Sequence, residues 1–249
     1  MHPFFAALTF LTKIPVPGPN KITTDSLVRG SAYYPLVGAL LGGILWLFSY
    51  LLRFLCGHAS LPAAALLLTL WVFLTGALHL DGLADTFDGL AGGLTKEDRL
   101  RIMQDSSAGS FGVIAIVLTL LLKFSFLQQL PGERLLPALL YSPLLSRWSM
   151  VVLMYFTPYA RKTQSLGKPF VELIGKKQLA LSSALTVAAG FLYPQIFFLT
   201  LLLPVILLTA LLRWFFLQKI GGITGDCLGA TNELLEIAVL FLLLLPRAY

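Results

Sequence analysis

The chain reads as an all-α polytopic membrane helical bundle of about seven transmembrane helices, with five as the lower bound, forming one catalytic domain over residues 1–249. Three observations predict this. Hydrophobic residues make up 57% of the sequence and charged residues 12%, against about 45–50% and about 25% in soluble domains. The apolar residues gather in segments whose length approaches the roughly 20 residues that cross a bilayer. Lysine and arginine fall unequally on alternate connections, as cytoplasmic loops require.

Residues 1–32 read as a cytoplasmic or interfacial N-terminal segment. The opening MHPFFAALTFLTK lacks a basic start, and its short apolar run ends in Lys13 and the proline-rich IPVPGPN. That pattern does not match a cleaved signal peptide and suits a short piece lying in the interface. Apolar segments follow at 33–55, 61–80, 111–130, 135–156, 179–193, 195–217 and 234–246. The fifth and seventh are short for the hydrocarbon thickness. Cys56 and Cys227 form no CxxC pair, which argues against a zinc site or a disulfide framework.

With a cytoplasmic N-terminus, twelve Lys and Arg residues fall on inside segments and three, Arg53, Arg134 and Arg247, on outside ends, while Lys123, Arg147 and Arg213 lie within spans. This bias and attraction to anionic headgroups explain the net charge of +6 without nucleic-acid binding. The same topology places every acidic motif on the cytoplasmic side.

The sharpest motif is HLDGLADTFDG, which puts Asp81, Asp85 and Asp88 at i, i+4 and i+7. On a helix they share one face and converge on a common cation. Carboxylates beside hydrocarbon are costly, and hard oxygen-seeking cations such as Mg²⁺ offset that cost while carrying substrate phosphates. A second motif, RIMQDSSAGSFG, holds Arg101, Asp105, Ser106 and Gly109. A third, GGITGDCLGATNELLE, holds Gly222, Thr224, Gly225, Asp226, Asn232 and Glu233. Between them YARKTQSLGK supplies Arg161, Lys162 and Lys168.

Together these form a carboxylate and glycine site beside a basic loop, suited to holding Mg²⁺ against a diphosphate during exchange of a phosphoanhydride. Asp81, Asp85, Asp88 and Asp226 are the expected metal ligands, with Asp105 a ligand or base. Asp85 and His79 are candidate catalytic groups. Arg101, Arg147, Arg161, Lys168, Ser106, Asn232 and Glu233 are candidate substrate or phosphate contacts. Gly109, Gly222, Thr224 and Gly225 would present backbone N–H groups near helix N-termini. Plainer readings stand beside these. Asp105 would pair with Arg101 one turn away, Asp226 would be a turn residue, and His79 a helix-end hydrogen-bonding group. Arg147 would pair with a buried acid, and Arg161 and Lys168 would only mark the inside.

In order and spacing HLDGLADTFDG, IMQDSSAGSFG, Ser146-Arg147, the YAR to LG stretch and GGITGDCLGATNELLE resemble the adenosylcobinamide-GDP ribazoletransferases, or cobalamin synthases. FLTKIPVP and RGSAYYPLVGALLG resemble that family's opening, so the likeness spans essentially the whole chain. The resemblance implies an Mg²⁺-dependent enzyme of the cytoplasmic (inner) membrane. Such an enzyme transfers the adenosylcobinamide phosphate group of adenosylcobinamide-GDP to α-ribazole or its 5′-phosphate and releases GMP. It leaves open a homo-oligomer or a complex with other biosynthetic enzymes. The pattern is more distantly similar to the CDP-alcohol phosphotransferases, but Asp85 stands after Ala84 where their motif has arginine. A secondary transporter is the rival from another class; the acids cluster near one interface and not at the midplane.

Overall fold

The computed structural model describes residues 1–16, 22–56, 61–105, 107–130, 132–161, 167–191 and 195–245, with the side chains of Cys56 and Gln195 excluded. Among the described residues the secondary structure is helical, apart from a single two-residue bridge. Short α1 (Pro3–Leu11) and α2 (Thr24–Gly30) precede α3 (Tyr34–Cys56), α4 (Leu61–Thr75), α5 (Leu78–Gly92) and α6 (Lys96–Ile102). Then come α7 (Ser110–Gln129), α8 (Gly132–Phe156), α9 (Lys168–Leu173), α10 (Lys176–Gly190), α11 (Gln195–Ile220) and α12 (Gly225–Leu244).

Among the described residues five helical stretches are long and apolar enough to cross a membrane, or six if the bent pair α4 and α5 is one broken span. The expected seven therefore falls to the lower part of its range. The 15-residue α4 and α10 are about 22 Å long at 1.5 Å per residue, short of the ~30 Å hydrocarbon core. The last span differs in the other direction. It starts at Gly225 and not near 234, because the acids that made its first turns look too polar are neutralised inside the bundle.

Helix α8 is the central post, 83% buried over its apolar window, whereas α7 and α11 are 28% and 22% buried and present outward faces such as Leu118, Leu203 and Trp214. Two glycines let α3 lie directly on α8. A Cβ on Gly38 would stand 2.1 Å from the Pro143 carbonyl oxygen, and one on Gly42 would stand 2.3 Å from that of Leu139. Small residues four apart permit this close backbone approach. The Leu139 carbonyl is also the one that Pro143, having no N–H, leaves without its helical donor. At the end of the bundle away from the aspartates, Arg134 donates Nη1 to the carbonyls of Leu243 (3.0 Å) and Leu245 (2.8 Å), closing the C-terminus of α12.

The break between α4 and α5 sets the site. Gly76 and Ala77 both have positive φ, 60° and 57°. Gly76 N–H bonds the Phe73 carbonyl and Ala77 N–H bonds that of Val72, each at 3.1 Å. This is the paired closure that ends a helix with a left-handed residue. The two axes meet at 86°, so the three aspartates lie on a helix that turns away from the direction of α4.

Candidate active site

Helix α5 crosses α12 at a point where both backbones are bare. A Cβ on Gly82 would lie 2.9 Å from the Asp226 carbonyl oxygen and 3.3 Å from the Gly229 Cα; one on Gly229 would lie 3.1 Å from the His79 carbonyl oxygen. The two acidic motifs, about 140 residues apart in sequence, are thus in direct backbone contact. Asp81 and Asp226 line one cavity of about 260 Å³. Asp85, one turn further along α5 and half-buried, is within Coulombic reach of Asp226, Asp81 and Asp88 and, among the described residues, of one cation, Arg161.

Arg161 arrives there through a short backbone splice. Tyr159 and Ile223 form a parallel bridge, in which Ala160 N–H donates to the Ile223 carbonyl and Ile223 N–H to that of Pro158, each at 2.9 Å. Gly222 is required at this splice, since a Cβ would stand 2.4 Å from the Pro158 carbonyl oxygen. Arg161 then donates Nη2 to Asp226 Oδ2 at 2.7 Å and to the Met103 carbonyl at 3.2 Å. Its buried Nε meets no acceptor among the described residues. Thr224 caps α12, accepting from Cys227 N–H at 3.3 Å and donating its hydroxyl to Asp226 Oδ2 at 3.1 Å. Gly225 opens α12 at the cavity wall, and Gly167 packs its backbone against Gly225.

Other expected site residues sit elsewhere. Asp88 is buried and its two oxygens accept from Gly109 N–H and Gly112 N–H, each at 2.8 Å. The N-terminus of α7 takes the nearest anion, which is the protein's own carboxylate. Asp88 and Gly109 therefore bind each other, where the sequence suggested a metal ligand and a phosphate contact. Asp105 does not pair with Arg101 along a helix, because α6 ends at Ile102; Arg101 approaches Asp98 at 3.6 Å instead. Exposed Asp105 accepts from the Ser107 hydroxyl (2.7 Å) and N–H (2.9 Å), which hold its carboxyl below the usual range. Lys168 stands 3.8 Å from Glu172 on its own helix. Ser106 and Lys162 lie outside the described residues.

Arg147, Asn232 and Glu233 do not line the cavity but belong to a buried network inside the bundle. Lys123 of α7 bonds both Glu233 and Glu236 of α12 and lies 4.9 Å from the Trp71 ring centroid. Arg147 of α8 donates to Glu236 at 2.6 Å, and Asn232 donates to the same oxygen at 3.1 Å. Sequence reasoning placed these groups with Asp226 because they follow it closely. However, each residue of α12 rises about 1.5 Å, so Glu233 is about 10 Å deeper along the axis. Lys123 and Glu236 were not singled out as site or network residues. A lysine and two acids inside apolar runs carry the signal, since such charges are kept only when paired.

His79 does line the cavity. It is 2% exposed, and neither ring nitrogen has a partner among the described residues. The cavity thus combines an oxygen-only acidic mouth, one guanidinium, a helix N-terminus and an unpartnered imidazole. Among the described residues no three His, Cys, Asp or Glu side chains already close on one point.

Comparisons with known proteins show the family. A family model described as Cobalamin-5-phosphate synthase matches residues 3–244. A protein of Desulfitobacterium hafniense named adenosylcobinamide-GDP ribazoletransferase is 42% identical over 253 residues, covering 98% of this chain and 96% of its own length. A Pseudomonas putida protein of the same name is 42% identical, covering 96% of this chain and 97% of its own. One from Syntrophobacter fumaroxidans is 40% identical, covering 95% and 96% respectively. No solved structure matches the chain. With the match running almost end to end, the chain belongs to the cobalamin-5-phosphate synthase family.

Proposed function

We propose that the chain is an Mg²⁺-dependent adenosylcobinamide-GDP ribazoletransferase of the cytoplasmic membrane, with its site facing the cytoplasm. The supporting observation is the meeting of Asp81 on α5 with Asp226 on α12 and with Arg161 around a single cavity, with Asp85 one turn further along α5 and within electrostatic reach of all three. The positive-inside bias supports a cytoplasmic position for that end of the bundle.

In the reaction a ribose hydroxyl of α-ribazole attacks the phosphorus on the cobinamide side of the diphosphate. The new O–P bond forms as the bridging P–O bond breaks, and GMP leaves with the bond's electron pair. The product is adenosylcobalamin, or its 5′-phosphate when α-ribazole 5′-phosphate is the acceptor. Arg161, held by Asp226 and the Met103 carbonyl, has Nε still to offer to a phosphate oxygen. The N-terminus of α12 at Gly225 adds donors on the same wall. Asp85 is placed to receive the hydroxyl proton. Asp105 is ill suited to that task, because its basicity is depressed by Ser107; it suits contact with a cation instead.

The donor set fits Mg²⁺. Three carboxylates, Asp81, Asp85 and Asp226, face one guanidinium, leaving surplus negative charge on oxygen-only donors. When bound there, Mg²⁺ would supply charge neutralisation to the diphosphate. Purified protein given Mg²⁺, adenosylcobinamide-GDP and α-ribazole is expected to release GMP, and chelation with EDTA is expected to stop it. GMP release that persists in EDTA would contradict the metal assignment. Release of CMP from a CDP-linked lipid, with none of GMP, would contradict the reaction.

A further inference from the structure

The two depressions that meet at Arg161 differ in character, and the difference assigns the halves of the reaction. One is the more enclosed cavity of about 260 Å³; the other is a more open groove of about 420 Å³ lined by Lys96, Glu97, Leu100, Arg101, Gln104, Ala160 and Arg161. Ala160 and Arg161 of the groove fall on the segment spliced to Ile223, and Arg161 is the cation that, among the described residues, lines both. The groove carries three cations against one acid and is open to solvent. The cavity behind the carboxylates is walled by Phe10, Tyr34, Met150, Met154, Phe170 and Leu228.

We propose that the enclosed cavity is the acceptor's pocket, taking the apolar fused-ring base of a nucleoside between its aromatic and methionine walls, with His79 recognising a polar edge of that nucleoside. The inference rests on the ribazoletransferase reading. Size decides against the other candidate occupants. Pockets for drug-sized ligands run from about 300 to 1,000 Å³, so 260 Å³ takes a two-ring base and excludes a corrin. The lining decides against the guanine nucleotide, whose phosphates find their counter-charge in the groove. Methionine and aromatic walls suit a flat apolar ring.

His79 is the second, independent observation. An imidazole that is 98% buried and keeps both nitrogens without protein partners among the described residues is costly unless something else bonds it. It stands two residues before Asp81 on the same helix and lines the cavity. A nucleoside seated there has its sugar directed to the acidic mouth formed by Asp81, Asp226 and Arg161, so that its hydroxyl leaves the cavity on the side of Asp85, one turn further along α5 and within electrostatic reach of these three groups. The leaving nucleotide lies beyond Arg161, in the groove with Lys96 and Arg101. The diphosphate is thereby drawn across the shared guanidinium, in line between acceptor and leaving group.

Steady-state kinetics on the full chain in detergent, measuring GMP release while varying each substrate separately, test this. His79→Leu removes no hydrogen bond to the described residues, so a purely structural role gives little effect. It is expected to raise KM for α-ribazole by about tenfold or more, the range for a buried polar group left unpaired, while KM for adenosylcobinamide-GDP stays within about twofold. A rise confined to adenosylcobinamide-GDP, or no change in either, overturns the assignment. A second measurement needs no variant: photolysis of wild-type protein with a diazirine-bearing α-ribazole is expected to label peptides carrying Phe10, Met150 or Phe170. Labelling confined to 96–104 overturns it. Wild-type protein that releases no GMP from the two substrates refutes the reaction itself, a result distinct from either outcome above.

Discussion

Replacing Asp85 with asparagine is expected to lower GMP release by about 100-fold or more while the protein remains folded and inserted. The substitution keeps the shape of the side chain and removes its charge and basicity. Asp85 is half-buried, close to Asp81, Asp88 and Asp226, and balanced among the described residues by Arg161. Two proposed functions would be lost together, a share of the charge that would hold a divalent cation and the acceptor for the attacking hydroxyl's proton. Metal-assisted charge stabilisation is worth several kcal/mol, and each 1.36 kcal/mol is tenfold in rate. Turnover within about threefold of wild type would remove Asp85 from the mechanism.

The second large effect is on stability. Glu236 is fully buried and accepts from Arg147, Lys123 and Asn232. Two cations and two acids balance in that network, and Arg147 is itself 0% exposed. A guanidinium cannot shed its proton to escape. Glu236→Leu therefore leaves an uncompensated buried charge at a cost of about 3–5 kcal/mol, a large part of the ~5–15 kcal/mol that keeps a domain folded. The expected outcome is a sharp fall in thermal unfolding temperature in detergent and in yield of monodisperse protein. The double variant Lys123→Met with Glu233→Gln removes one cation and one anion together and keeps Arg147–Glu236. It is expected to stay within about 1–2 kcal/mol of wild type, since removing both members of a buried pair is often close to neutral. Equal destabilisation by the two variants would show that packing, not charge balance, governs this region.

The two effects separate what the sequence displayed from what it concealed. Charge spacing made the site legible. Asp81 and Asp85 lie one turn apart, and the glycines around Asp226 mark a close approach, which the contact of Gly82 with the Asp226 backbone realises. The helical class was equally legible, because hydropathy reports what a bilayer demands of every backbone polar group. Span boundaries were less so. Hydropathy treats Glu233 and Glu236 as hydrophilic, although with Lys123 and Arg147 they form a neutral buried unit. The start of α12 was accordingly placed near 234 and not at Gly225.

The role of Asp88 was concealed for a related reason. Three aspartates on one face invite a single role, yet the third meets the N-terminus of α7 about 20 residues later. No local pattern announces that pairing. The 86° turn before α5 was also hidden, because Gly76 is an ordinary residue in a span and Ala77 has no intrinsic preference for positive φ. That turn carries Asp81 and Asp85 off the α4 axis and against α12.

The proposal that α5 and α12 share one cation is tested most directly by Mn²⁺ titration of the full chain, read by electron paramagnetic resonance. Asp85→Asn and Asp226→Asn change residues on two separate helices. Each is expected to weaken Mn²⁺ binding by about tenfold or more, with a matching loss of GMP release at limiting Mg²⁺. Wild-type Mn²⁺ affinity in the Asp226→Asn protein would contradict a shared metal site.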